Sequence, residues 1–266
     1  MSAGPWRSAW CDAPPPPELQ FGCEVAELRK DGDGWALLAQ NGEALATART
    51  VVLANAGAAS RLADAAWPME PLRGQMSVFA GAAAHGLHGP RLPITGSGYV
   101  LPVIDGNLVF GATRSRDDVD PAVRLADHRL NLAQLAALSS DLTGSRAMDP
   151  ATLSGRTAWR WSSRDRLPII GAVPARLSVD EGRGMGAGRR DQPRFVAREP
   201  GLFVFTALGS RGITWSALGA QLLASIVSGA PSPIEAALLD AVDPARFGVR
   251  DGRRAGPPQR PPAQMP

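Results

Sequence analysis

Short stretches in which apolar and polar positions change places every residue or two open the patterned part of the chain. Residues 23–28, 35–39 and 43–46 predict three strands, with Asp31-Gly32-Asp33-Gly34 as the turn between the first two. Residues 50–57 differ: Thr-Val-Val-Leu-Ala-Asn-Ala-Gly is a continuous apolar run ending in small residues, which predicts a strand buried on both faces. Residues 98–102 and 107–113 flank Ile104-Asp105-Gly106 and predict a hairpin. Helical spacing of Leu130, Leu132, Leu135 and Leu138 marks 127–142, while 155–161 and 202–206 predict further strands, the second buried. Residues 213–228 are apolar almost all round, which predicts a buried helix. This mixture of strands and helices is α/β (α+β), with no internal repeat.

Composition excludes more than it assigns. The chain has 266 residues, 44% hydrophobic and 20% charged, enough for one sizeable core or two small ones. Collagen-like, coiled-coil and fully disordered classes do not fit. No apolar run of ~18 residues is long enough for a membrane span, and the first twenty residues lack a secretory-signal pattern. Two cysteines, Cys11 and Cys23, build no disulfide framework and leave no metal-ligand spacing. A cytoplasmic protein away from membranes is expected. Net charge is +3, and Lys30 is the single lysine. Arginine suits carboxylates, phosphates and RNA, but the load of Ala, Gly and Pro makes a GC-rich genome the plainer source of the bias. Residues 1–19, with Pro14 to Pro17, read as a disordered lead-in; 178–199, with Gly182, Gly184, Gly186 and Gly188, as an irregular insertion; 249–266 as a disordered tail.

Two stretches carry chemistry. The strand ending at Thr206 runs through Ala207-Leu208-Gly209-Ser210-Arg211-Gly212 into the helix. Gly209 and Gly212 would let a flat ligand approach the main chain, and a helix start offers unpaired N–H groups with partial positive charge. A phosphate, the pyrimidine edge of a flavin, and a purely structural turn all satisfy those residues. In Trp159-Arg160-Trp161, strand alternation puts the tryptophans on one side and Arg160 on the other with Arg156 and Ala158. A pocket wall needs such a packed aromatic face behind a cation; an exposed strand arginine would show the same pattern. His85, His88 and His128 are scattered and read as structural, and no Ser/His/Asp triad is present. Arginines other than Arg160 and Arg211 are assigned to composition.

The ordered set changes the weight of these parts. Val51 to Gly57, Pro71-Leu72-Arg73-Gly74-Gln75, Gly98-Tyr99 through Gly111-Ala112-Thr113, Arg164-Asp165-Arg166-Leu167-Pro168-Ile169-Ile170-Gly171 and Leu208-Gly209-Ser210-Arg211-Gly212 occur in that order. The set resembles the D-amino-acid-oxidase-like family of FAD-dependent amine oxidoreductases over about residues 20–248. Arg164 to Pro168, Gly209 to Gly212 and Asp243-Pro244-Ala245-Arg246-Phe247 are similar to its tRNA-modifying, bifunctional branch. The resemblance implies an FAD/NAD(P)-binding Rossmann-like domain from 20–75 and 200–248, and a mostly antiparallel substrate-domain sheet from 76–177. It implies main-chain contact of Val25 with the adenine, a turn Ala54, Asn55, Ala56 and Gly57 beside the cofactor, and Gly209, Ser210, Arg211, Gly212 and Ile213 against the flavin. Arg160, Tyr99 and Arg211 are the implied substrate binders; no residue is assigned as acid or base.

The implied cofactor is FAD, held non-covalently because both cysteines lie far from the flavin-facing segments. The implied reaction is oxidation of a 5-carboxymethylaminomethyl group on the wobble uridine of tRNA to 5-aminomethyluridine with release of glyoxylate. Dioxygen is the implied electron acceptor, and a methyltransferase domain, not in this chain, the neighbour in bifunctional members. One departure stands out: no G-x-G-x-x-G opens a strand-turn-helix, and Gly184-Met185-Gly186-Ala187-Gly188 has the wrong spacing. The family carries that fingerprint ahead of the equivalent of Val25, so an incomplete FAD-binding domain with poor FAD affinity is expected. A glycine- or sarcosine-type oxidase of a small free amine, and a non-catalytic remnant, remain as alternatives.

Overall fold

The computed structural model describes residues 17–85, 89–138, 148–175 and 192–255. Cys11, His88, the proline run up to Pro16, the glycines of 182–188 and the chain after 255 lie outside the described residues. The chain divides into two units, 1–51 and 52–266.

The first unit is the meander read from the sequence. Strands β1 (Glu27–Asp31), β2 (Gly34–Leu38) and β3 (Ala44–Ala48) pair antiparallel in that order, with Asp31 opposite Gly34 across the turn. Gly34 is required by proximity, since a Cβ there would fall 2.7 Å from the Ala48 carbonyl oxygen. Trp35 and Leu38 are buried. Val25 precedes β1, beside the Ala26 N–H that donates to Leu38 O at 2.8 Å; the strand itself runs from Glu27, with its first hydrogen bond to β2 from Ala26, rather than from 23. Strand β4 (Val51–Leu53) follows.

The larger unit is organised by β5 (Met69–Phe79), which follows the short helix α1 (Ala58–Leu62). The chain then forms β6 (Ile94–Thr95), β7 (Tyr99–Val100), β8 (Leu108–Gly111), β9 (Ser115–Arg116), helix α2 (Leu125–Leu138) and β10 (Ser154–Ser163). These strands make a six-stranded sheet of order β10-β5-β8-β7-β6, with β9 against the start of β5. Strand β10 pairs with β5 antiparallel from Ser154–Val78 to Ser163–Met69. The expected hairpin closes with Ile104 bridged to Asn107 and with φ of 51° at Asp105 and 75° at Gly106, the left-handed pair of a tight two-residue turn. The domain boundary placed after residue 75 falls inside β5, which belongs to this sheet from Met69 onward.

Helix α2 covers one face of the sheet. Val100, Leu108, Phe110, Leu135 and Leu153 form its apolar core, while the β5 residues facing α2 are polar. Arg73, Gln75 and Ser77 are each 0% exposed. Arg73 donates to Asp127 at 2.7 Å and to the carbonyls of Asp120 and Ala122 at 2.7 and 2.6 Å. The Gln75 amide spans Arg124, accepting from its N–H and donating to its carbonyl. Ser77 meets His128 Nδ1 at 2.7 Å and accepts from Asn131 at 2.9 Å. Burial pushes the His128 imidazole down against the opposing pull of Asp127, keeping it neutral.

A second sheet of order β11-β12-β4 brings together β11 (Ile169–Pro174), β12 (Arg198–Thr206) and β4. Helix α3 (Gly212–Ser228) lies on it with Gly219 against the Phe205 ring, and α4 (Ala236–Val242) closes the cluster of Ile170, Leu222, Leu223 and Val242. Two expectations of burial need correction. Helix α3 buries one stripe, Gly219, Leu222, Leu223 and Ser225, and leaves Ile213, Leu218, Ile226 and Val227 exposed; Val52 of β4 is 42% exposed. An apolar run measures affinity for a covering layer, and here the sheet covers one side. The tail reading is also revised, because α5 (Arg246–Ala255) continues past 249, and β12 already begins at Arg198 within the expected insertion. Among the described residues no helix is long and apolar enough to cross a membrane.

Arg246, 1% exposed, clamps α5 to the turn after β10. Its Nε and Nη2 each donate to Asp165 at 2.9 Å, Nη2 also reaches Leu167 O, and Nη1 donates to Val242 O at 3.0 Å. Arg73 and Arg246 therefore answer to structure rather than to genome composition. Burial pushes the Asp165 carboxyl up, but hydrogen bonds from Arg246, Arg250 and Ser163 outweigh it and hold the group well below the usual carboxylate range. Asp165→Asn should cost about 2 kcal/mol, less than the ~3–5 kcal/mol of a fully enclosed broken pair, because the carboxylate keeps 21% of its surface. A carboxyl depressed on folding stabilises above its unfolded pKa, near ~4, and loses that contribution as pH falls toward the folded value. The gap between wild type and Asp165→Asn in urea melts should accordingly narrow below about pH 4.

Candidate functional site

Three segments marked in the sequence meet at the end of β10. The Trp161 carbonyl accepts from Gly209 N–H at 2.9 Å, and Ser162 bridges to Leu208. Thr206 Oγ1 donates to Ala56 O at 2.9 Å. The indole of Trp161 lies against Gly57 so closely that a Cβ there would fall 2.3 Å from the ring, and one on Gly209 would fall 2.6 Å from Ser162 Oγ. These two glycines are thus demanded by protein contact. Room for a ligand at the main chain is left at Gly212, where a Cβ would meet nothing nearer than Leu208 Cδ1 at 4.0 Å. Ala56 and Ala207 hold φ of 56° and 61°, left-handed values costing of order 1 kcal/mol each for residues with a Cβ. Such outliers gather where a turn is shaped for a ligand.

The surface beside this junction suits an anionic or electron-rich ring edge. Ala54, Asn55, Ala56, Ser210, Arg211 and Ile213 are exposed. Arg211 occupies the N-cap of α3 without a side-chain capping bond, so the first turn presents its N–H groups uncapped by that residue. This is the donor set a flavin pyrimidine edge requires, and FAD fits the junction on that ground. Val25 belongs to the first unit.

The second locus is the sheet face opposite α2. Residues in register on adjacent strands share a face, so Arg160–Leu72, Ala158–Gly74 and Arg156–Met76–Gly111–Tyr99 make three rows on it. The guanidinium of Arg160 lies across Gly74, where a Cβ would fall 2.6 Å from Nη2. Burial lowers the Arg160 pKa, Tyr99 supports its charge, and Arg114 opposes it. Burial likewise raises the Tyr99 phenol, against Arg160, so Tyr99 stays a neutral hydrogen-bonding group. Among the described residues no carboxylate pairs with Arg160. The expected substrate binders Arg160 and Tyr99 are thereby brought onto one face, whereas Arg211 shares no hydrogen bond or ion pair with either. Sequence reasoning missed Arg114: only the return of the chain through β9, in register with β5, puts it beside Arg160, and no local pattern announces that.

Family comparison agrees with this architecture. The family described as FAD dependent oxidoreductase (DAO) matches residues 18–226, and the chain belongs to it. The tRNA 5-methylaminomethyl-2-thiouridine biosynthesis bifunctional protein MnmC of Methylibium petroleiphilum is 48% identical over 239 residues, covering 86% of this chain and 35% of that protein. The protein of the same name from Burkholderia multivorans is 46% identical over 231 residues, covering 85% and 34%. The chain therefore spans about a third of the length of the curated relatives it matches. Among solved structures, glycine oxidase from Geobacillus kaustophilus aligns with TM-score 0.59 at 21% identity over 84% of this chain and 52% of that one. L-proline dehydrogenase from P. horikoshii aligns with TM-score 0.56 at 14% identity over 85% and 54%. At such identities the structures show a shared fold. FAD is the cofactor of this family.

The Gly57–Trp161 contact makes a direct test of the junction. Gly57→Ala should destabilise by about 1–3 kcal/mol through overpacking, and Trp161→Leu should relieve most of that in the double variant. A double-mutant cycle by chemical denaturation reads the coupling; additive losses would show that the two do not touch.

Proposed function

We propose that this chain supplies the substrate face and the flavin-facing turn of an enzyme that oxidises the 5-carboxymethylaminomethyl group of the wobble uridine in tRNA, giving 5-aminomethyluridine and glyoxylate. The observation that carries the reading is Arg160: a half-buried guanidinium, laid over a glycine, beside a neutral tyrosine and without a carboxylate partner among the described residues. Such a group is completed by an incoming carboxylate, which it can hold through two parallel hydrogen bonds. The tRNA part of the reading comes from the relatives, whose name is that of a tRNA-modifying protein.

Bound FAD would accept the hydride, with dioxygen as the later electron acceptor. The chain's own residues have a narrower task. Arg160 fixes the carboxylate of R–NH–CH2–COO⁻, so that the CH2 between nitrogen and carboxylate is presented in one orientation. Tyr99, neutral, offers a hydrogen bond without adding charge. Ala54 to Gly57 and Gly209 to Ile213 would hold the cofactor, with the N–H groups at the start of α3 facing its electron-rich edge. The substrate amine enters neutral and, on losing hydride, becomes an iminium ion, R–NH⁺=CH–COO⁻. Water adds to the iminium carbon with release of one proton to solvent, and the C–N bond of the resulting carbinolamine breaks to give the primary amine and glyoxylate. No side chain has to take a proton from carbon.

The test is glyoxylate release from tRNA bearing the modification, by FAD-loaded protein. Arg160→Ala should lower kcat/KM about 10–100-fold, the worth of a charge-assisted hydrogen-bonded pair, while flavin absorbance is retained. Parallel loss of flavin and turnover would make Arg160 a structural residue. Turnover of free glycine or sarcosine in place of the tRNA would assign the chain to small-amine oxidation instead.

A further inference from the structure

Arg160 shares its face of the six-stranded sheet with other arginines. Leu72 stands in register with Arg160 on one side and with Arg116 on the other, so that row reads Arg160–Leu72–Arg116. Two rows along, Arg156 aligns with Met76, Gly111 and Tyr99. Arg114 lies between, two residues before Arg116 and near enough to Arg160 for their charges to oppose. Arg114, Arg116 and Arg156 are exposed. Among the described residues none of these three side chains has a hydrogen-bond or ion-pair partner. The carboxylate that strand register brings to this face is Glu70, opposite Ser162.

The other face of the same strands shows the contrast. There Arg73 is fully enclosed and paired with Asp127, and Arg124, beyond it, is paired with Asp118 and Asp120. The sheet matches its arginines with acids under α2 and leaves them bare on the face that carries Arg160. A small free amino acid has one carboxylate, which Arg160 alone satisfies. Three additional bare guanidiniums around it have no task with such a substrate. Positions two apart on an extended strand are roughly 6.5–7 Å apart, a spacing that successive phosphates of an unstacked nucleotide chain reach.

We propose that Arg114, Arg116 and Arg156 form a phosphate-binding surface for the RNA strand on either side of the nucleotide whose carboxylate meets Arg160. The inference rests on the tRNA reading above and adds where the polynucleotide is held. Phosphate contacts of this kind position the substrate without reading its bases, which leaves choice of nucleotide to the group that reaches Arg160 and Tyr99.

The experiment measures binding of tRNA to FAD-loaded protein across a series of salt concentrations. Each of Arg114→Gln, Arg116→Gln and Arg156→Gln should reduce the slope of log K against log salt by about 0.7–0.9, and the triple variant by roughly two to three. Arg129→Gln, an exposed arginine on α2 at the opposite face, should leave the slope at the wild-type value. An unchanged slope in the triple variant, or no tRNA binding by the wild type, overturns the proposal. Flavin loss in step with tRNA affinity overturns it too, since the arginines would then be holding cofactor phosphate. Expected slopes with no glyoxylate released from modified tRNA would uphold the surface and reject the reaction proposed above.

Discussion

Strand β10 is gripped on both sides within a few residues of Arg160. Its partner β5 holds it through Ser163, the Trp161 carbonyl takes the Gly209 N–H, and the Trp161 ring closes on Gly57. Just beyond, Asp165 is bound by Arg246 from α5. Alternate residues of a strand face opposite ways, so packing Trp161 toward Gly57 turns Arg160 toward Gly74. A slip of one residue would bury a guanidinium against Gly57 and expose an indole on the sheet face. The position of the cation is thus set by the packing of its neutral neighbour, and the 54–57 turn, the 206–209 turn and the sheet face are held together by the same few residues.

Strand β5 solves a related problem by other means. Register is usually specified by an apolar face, yet the β5 residues under α2 are Arg73, Gln75 and Ser77. Each has partners on α2 or on the loop leading into it: Asp127, the main chain of Arg124, and His128 with Asn131. Buried ion pairs return little net stability once desolvation is counted. Their worth here is selectivity, because a shifted strand would leave a buried charge unpaired, at a cost of several kcal/mol. The arginines on this face are therefore part of the specification of the sheet.

That device also decides how much of the fold is legible in the sequence. Period-two alternation in 155–161 is strong, and it yields both the strand and the side on which Arg160 stands; Asp105-Gly106 carries its turn chemistry in two residues. Strand β5 is legible only as a motif, since Pro71, Arg73, Gly74 and Gln75 disguise the longest strand of the sheet as a polar segment. For α3 and β4 the error runs the other way: an apolar sequence shows what a residue prefers, and Ile213, Leu218 and Val52 remain exposed. Gly209 reads as space for a ligand, whereas Ser162 fills that space from a strand about fifty residues earlier. Arg114 depends on register between non-adjacent segments, information that a single sequence does not contain.

The partition of polar groups between the two sheet faces bears directly on the chemistry. The buried histidine, His128, is on the α2 side, bonded to Ser77 and kept neutral by burial, with the sheet between it and Arg160. The opposite face holds arginines and a tyrosine whose proton is retained at neutral pH. Glu70, the carboxylate on this face, is exposed opposite Ser162, and neither the arginines nor the tyrosine is a base able to take a proton from carbon near pH 7. Hydride loss from a carbon next to a neutral amine needs none: the nitrogen lone pair supplies the electrons, and the protein has only to hold the carboxylate and exclude other orientations. A half-buried guanidinium is poorly solvated until an anion arrives, so its attraction is strongest where the carboxylate must dock. The face is cationic and glycine-floored, and its arginines outnumber Glu70, the carboxylate that strand register brings to it, so it keeps positive charge that an incoming anion would balance.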